Sequence, residues 1–168
     1  MLKKTEIEIV RQFTLDLDSK KTIKEISDAT KKPYPLIHRT VATLIKNGYL
    51  LKDKHNLLSL NLKNYSEIAY VEGLKAKEFL RKNKRVVKIL DKIKTDFFIF
   101  IVSGKNVIVI AEDKEYVAGI KGVKVFSRKE SAGMLSRTRE DNILNKSLGN
   151  HVILFGAENY YRMVDNAR

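Results

Sequence analysis

Apolar residues at Ile7, Val10 and Phe13, with Ile9 beside them, recur at helical spacing between Lys3 and Leu15 and predict a first helix. A polar loop over 16–21 follows, and Thr22 with Glu25 three positions on is the capping-box signature of a short helix ending near Thr30, with Ile23, Ile26 and Ala29 as its apolar side. Lys31-Lys32-Pro33 breaks that helix. The next starts at Tyr34 or Pro35, where a proline in the first turn removes only an unpaired N–H, and runs to Asn47 with Gly48 as its left-handed C-terminal cap. Residues 49–52 and 57–62 then predict two strands around a turn at 53–56.

Helical spacing returns over 66–83, through Ile68, Val71, Leu74 or Lys75, and Phe79, and continues over 84–94 through Val86, Val87, Leu90 and Ile93. At Asp96 the texture becomes extended. Residues 97–102 and 107–111 predict buried strands joined by a turn at 103–106, and 122–126 predicts a third strand. Ser127 caps a helix starting at Arg128, a short helix over 140–148 stops at Gly149, and a strand over 151–155 leads into a last helix carrying Tyr160, Tyr161 and Met163. The expected class is α+β: three N-terminal helices with a hairpin (1–65), a basic helical connector (66–95) and a small α/β domain (96–168).

Composition narrows the function classes. The 168 residues carry a net charge of +13 and no cysteine, which excludes disulfides and thiolate metal sites. Three scattered histidines, His38, His55 and His151, do not make a zinc site, so no metal or other cofactor is expected. No apolar run approaches a membrane span, and the first residues lack the apolar stretch of a signal peptide, so a cytoplasmic protein without a membrane partner is expected. The charge is uneven. Residues 1–65 hold 13 Lys and Arg against 7 Asp and Glu, 66–95 hold 9 against 4, and 96–168 hold 11 against 9. A basic half joined to a near-neutral half suits a polyanion-binding module coupled to something else.

On the helix from Pro35 to Asn47, Ile37, Val41, Leu44 and Ile45 share one face. The opposite face collects Pro35, Arg39, Ala42, Thr43 and Lys46, with Leu36 and His38 on its flanks. Against duplex DNA, the Arg39 fork suits guanine O6 and N7, and Thr43 and Lys46 suit phosphates or thymine methyls. Lys31, Lys32 and Tyr34, at the positive end of the helix dipole, suit phosphate, and Lys52, Lys54 and His55 at the hairpin suit backbone or minor groove.

Residues 22–62 resemble the winged helix-turn-helix domains of archaeal and bacterial transcription regulators, in which the phrase matching Leu44-Ile45-Lys46-Asn47-Gly48-Tyr49-Leu50 closes the recognition helix and begins the wing. The resemblance implies a regulator that binds double-stranded DNA, as a homodimer reading two half-sites. Residues 150–162 (NHVILFGAENYYR), together with 126–135, are similar to the end of a minimal nucleotidyltransferase domain, as fused behind a winged helix in archaeal proteins. That chemistry needs a Gly-Ser turn opening a helix and an Asp-x-Asp pair for divalent metal. Here Ser103-Gly104 passes into a strand, no Asp-x-Asp occurs in this half, and the adjacent Glu112 and Asp113 would point to opposite faces. A shortened, non-catalytic relative serving dimerisation or sensing of an unidentified small effector is therefore expected. The runner-up functions are a divergent nucleotidyltransferase and a protein-protein adaptor in a replication or defence complex. Phe97 to Phe100 and Tyr160-Tyr161 are expected in the core before an interface, and His151 and Glu158 in structural hydrogen bonding or capping.

Overall fold

The computed structural model describes residues 2–93, 98–112, 119–136 and 142–167, and these form an α+β protein. The chain runs α1 (Lys4–Thr14), α2 (Ile23–Thr30), α3 (Tyr34–Lys46), β1 (Leu50–Lys52), β2 (Leu58–Leu60), α4 (Tyr65–Lys82) and α5 (Lys84–Leu90). It continues β3 (Ile99–Ser103), β4 (Asn106–Ala111), β5 (Val123–Ser127), α6 (Arg128–Ser136), α7 (Ile143–Ser147), β6 (Val152–Phe155) and α8 (Ala157–Ala167).

The caps explain where the N-terminal helices stop. Thr22 Oγ1 accepts from the Glu25 amide at 3.2 Å while Glu25 Oε2 accepts from the Thr22 amide at 2.6 Å, the reciprocal pair anticipated for α2. Lys31, with φ 54°, closes α2 in the left-handed region without a glycine. Gly48 at φ 75° closes α3: its amide donates to Ile45 O at 2.9 Å and the Tyr49 amide to Leu44 O at 2.8 Å, a Schellman cap. Ala29, expected on the apolar side of α2, is exposed; the eight-residue helix buries Ile26 and leans on the core at Ile23 alone. β1 and β2 pair antiparallel, Leu50 opposite Leu60 and Lys52 opposite Leu58, and Lys21 pairs with Leu58 on the other edge of β2.

The second sheet has the order β5-β4-β3-β6. β3 and β4 form a hairpin across a two-residue turn at Gly104-Lys105, shorter than the four-residue turn expected, and Gly104 (φ 57°) supplies the positive φ its first position needs. β5 runs parallel to β4 and β6 antiparallel to β3. Alternation along β3 and β4 divides the sheet's residues between two faces. Ile99, Ile101, Ile108 and Ile110 face a core shared with α6, α7 and α8, whereas Phe100, Val102, Val107 and Val109 lie against Val86, Ile89 and Ile93. Phe98 is partly buried, Ile99, Phe100, Tyr160 and Tyr161 are fully buried, and Phe97 lies outside the described residues.

The first of these cores does not stop at residue 65. Ile9, Val10 and Phe13 of α1, Ile26 of α2, Ile37, Val41 and Leu44 of α3, and Ile68 and Val71 of α4 join Ile101, Ile153, Tyr161 and Val164 in one apolar cluster. α4 lies between α1 on one side and β6 and α8 on the other. Backbone bonds reinforce the junction: the Leu17 amide donates to Leu148 O at 3.1 Å and the Asn150 amide to Leu15 O at 2.6 Å.

Candidate nucleic-acid interface

α3 sorts its residues by burial. Ile37, Val41 and Leu44 are at most 1% exposed, while Tyr34, Pro35, Leu36, His38, Arg39, Ala42, Thr43 and Lys46 are exposed. Tyr34 (50% exposed) and Leu36 (38%) place apolar area beside the cations. The Tyr34 and His38 rings lie 6.1 Å apart, so the start of α3 carries an aromatic pair.

Local hydrogen bonds qualify what each side chain can offer. Arg39 Nε donates to Pro35 O at 3.3 Å, which lays the stem along the helix and leaves the terminal guanidinium nitrogens free to form a fork. Thr43 Oγ1 donates its one proton to Arg39 O at 3.2 Å. Its hydroxyl can therefore accept but not donate, and its methyl is what it presents outward; a phosphate contact, which needs a donor, is not available to it in this rotamer. Lys46 is exposed at the end of α3.

The flanking cations fall into two groups. Lys31 is exposed at the turn between α2 and α3, but Lys32 is half-buried and its Nζ lies 3.0 Å from Glu8 Oε2 of α1. Glu8 thus competes for the charge that the sequence reading assigns to phosphate. At the hairpin, Lys52, Lys54 and His55 are all exposed. Asp53 builds this tip: Oδ1 accepts from the His55 amide at 2.9 Å and the Leu57 amide at 3.0 Å, and Oδ2 meets Lys20 Nζ at 2.9 Å. The Lys20 ammonium and the Leu57 amide hold the Asp53 carboxyl below its ordinary value, so it stays charged as the acceptor of the two amides that shape the tip.

A second polar cluster is buried where the two halves meet, and its members share no local motif that would join them in advance. Glu72 and Lys75 of α4 are 0% and 4% exposed. Lys75 Nζ donates to Glu72 Oε1 at 2.9 Å and to Thr14 O at 3.0 Å, Tyr161 OH donates to the same Glu72 oxygen at 2.8 Å, and His151 Nε2 stands 3.7 Å from it. Burial alone would raise the Glu72 carboxyl; His151 and the Lys75 ammonium beside it outweigh that and hold it below the usual carboxylate value. Burial, and then the Glu72 charge, push the Tyr161 hydroxyl well above its ordinary value, so it remains a donor. The i, i+3 pair looks like any exposed helix pair in the sequence; its partners lie 61 and 89 positions away.

The residues bearing on catalysis are dispersed. Ser103-Gly104 lies in the β3–β4 hairpin and opens no helix. Glu112 is exposed and pairs with Arg128 at 2.6 Å, and Asp113 lies outside the described residues. Among the described residues no three His, Cys, Asp or Glu side chains converge as a metal site, and no helix is long and apolar enough to cross a membrane. Glu158 is exposed in the first turn of α8, where its charge suits the helix dipole. No protein-family model matches this chain, nor does any curated protein or solved structure.

Proposed function

We propose that this protein is a DNA-binding transcription regulator whose N-terminal three helices and hairpin act as a winged helix-turn-helix. The observation that carries the reading is the outer face of α3, where Arg39, Thr43 and Lys46 are exposed above a fully buried Ile37, Val41 and Leu44. Arg39 reads a guanine edge, Thr43 offers its methyl to thymine, and Lys46 meets phosphate. Lys31 and Tyr34 sit at the positive end of the α3 dipole, and Lys52, Lys54 and His55 form the wing that follows the neighbouring backbone. Lys32 has a smaller part, because Glu8 already holds it.

The C-terminal sheet and its helices serve this reading as a non-catalytic domain that pairs two copies, so that two recognition helices meet two half-sites about one helical turn apart. Selection of bound genomic fragments, followed by binding titrations on the recovered sequence, tests the reading. A recovered motif with dyad symmetry, bound by a dimer in light scattering, is expected. Enrichment of no sequence, with Arg39→Ala and Lys46→Ala together leaving duplex binding unchanged, sinks it. Incorporation of labelled nucleotide in the presence of magnesium would instead favour transferase chemistry.

A further inference from the structure

α5 carries a charge pattern that the winged-helix reading does not use. Val86, Ile89 and Ile93 point into the core beneath β3 and β4, so the outward face presents Lys84, Arg85, Lys88 and, one turn further, Lys92. Lys121, in the turn before β5, closes the other side of a depression of about 390 Å³ floored by Ile89. Lys84, Arg85, Lys88, Lys92 and Lys121 are all exposed, and among the described residues none has an ion-pair partner. Asp91, on the same stretch, forms no ion pair with them.

Five like charges around one concavity repel one another and raise a local positive potential, an arrangement that a polyanion relieves by exchanging its condensed counterions for them. The separation from α3 sets the length that a polyanion touching both surfaces needs. Tyr49 and Gly48, just past α3, contact Glu67 and Asn64 at the start of α4, whereas α5 begins at its other end. The 18 residues of α4 span about 27 Å, or roughly 8 base pairs at 3.4 Å each.

We propose that the α5 face, Lys84, Arg85, Lys88, Lys92 and Lys121, is a second backbone-binding surface for duplex DNA, engaging phosphates beyond those that α3 and the hairpin reach. It rests on the DNA-binding reading above and adds to it a footprint longer than one helix-turn-helix requires. The contact is to phosphate alone: Lys donors and one Arg over a concave floor hold backbone without reading bases.

The test compares the full chain with Lys84→Gln/Arg85→Gln/Lys88→Gln on two random-sequence duplexes, one of about 30 base pairs and one hairpin-closed duplex of about 10, roughly a helical turn. The triple variant is expected to lose tenfold or more in affinity for the long duplex, with the salt slope falling by about 0.9 for each phosphate contact removed. On the short duplex it stays within twofold of the parent. Lys84→Arg/Lys88→Arg, which keeps the charge, retains full binding and controls for folding. Long-duplex affinity within twofold of the parent, or equal loss on both lengths, overturns the proposal, as does a loss seen only on a duplex RNA of about 30 base pairs run beside them. Arg39→Ala/Lys46→Ala separates it from the reading it rests on. If that pair abolishes binding while the α5 triple does not, the regulator reading stands and the second surface falls. If only the α5 triple matters, with equal loss on both lengths, α3 is not the reader and the α5 face is no extension of its footprint, so both readings fall.

Discussion

The Tyr161 hydroxyl of α8 donates to Glu72 Oε1 of α4 at 2.8 Å, with both side chains fully buried. Glu72 Oε1 also accepts from the Lys75 ammonium, so a single carboxylate oxygen ties α8, α4 and, through Lys75 and Thr14 O, the end of α1. Removing one partner of such a buried pair leaves an uncompensated charge. Glu72→Ala, which strands Lys75, should cost about 3–5 kcal/mol in urea unfolding. Tyr161→Phe, which removes one donor and little volume, should cost about 1–3 kcal/mol. A Glu72→Ala cost below about 1 kcal/mol would show that the cluster contributes little.

The same carboxylate sets an acid limit. Its folded value is lowered, so the folded state binds fewer protons than the unfolded chain, and stability is present above the unfolded value near 4.5. It is lost as pH falls through the folded value. Glu72→Gln should flatten the stability curve below about pH 4.5 while leaving its shape from pH 6 to 8 intact. Thermal melts in a pH series check this, and curves that stay parallel below pH 4.5 would refute it.

Gly156, between β6 and α8, has φ 73°, and a Cβ there would stand 2.0 Å from the Phe98 carbonyl oxygen. Backbone would have to move on one side or the other. Gly156→Ala should destabilise by at least about 2 kcal/mol. Gly104 has a similar φ of 57° but nothing within 4 Å, so Gly104→Asn should cost less than about 1 kcal/mol. The contrast is read from two denaturation midpoints.

Arg39 and Lys54 should fail differently. If α3 reads DNA as proposed, Arg39→Ala removes a fork above a base edge and should relax preference at one base pair by about 1–3 kcal/mol. On the same reading Lys54→Ala would remove a backbone contact, and it should weaken all sequences alike, with the salt slope falling by about one unit. Binding titrations on a site and its single-base variants, at several salt concentrations, separate the two behaviours.

Local chemistry made most elements readable in advance. The Thr22–Glu25 box, the Lys-Lys-Pro break, Gly48 and the alternating strands each report on residues within four positions, which is the range over which a sequence constrains its own backbone. The outer face of α3 was legible for the same reason, since burial of Ile37, Val41 and Leu44 leaves the rest outside. What stayed hidden depended on distant partners. Helical spacing left the inward position open between Leu74 and Lys75; Lys75 is the buried one, because Thr14 O and Glu72 wait for its ammonium. Lys32 was indistinguishable from Lys31 until Glu8 of α1 took it. The hairpin turn shortened to Gly104-Lys105 because β3 and β4 pair out to Ser103 and Asn106.

The pairing of residues 15–17 with 148–150 sets an order of events during synthesis. Those backbone groups can find each other only after a loop of some 130 residues has closed, a slow step compared with forming the hairpin or any single helix. The loop between α1 and α2 therefore emerges from the ribosome long before its partner exists. Until His151 and Tyr161 have been added, Phe13, Glu72 and Lys75 lack part of their surroundings, so a nascent chain stalled near residue 140 should be sensitive to protease at α1 and α4, the helices against which α3 is packed or anchored.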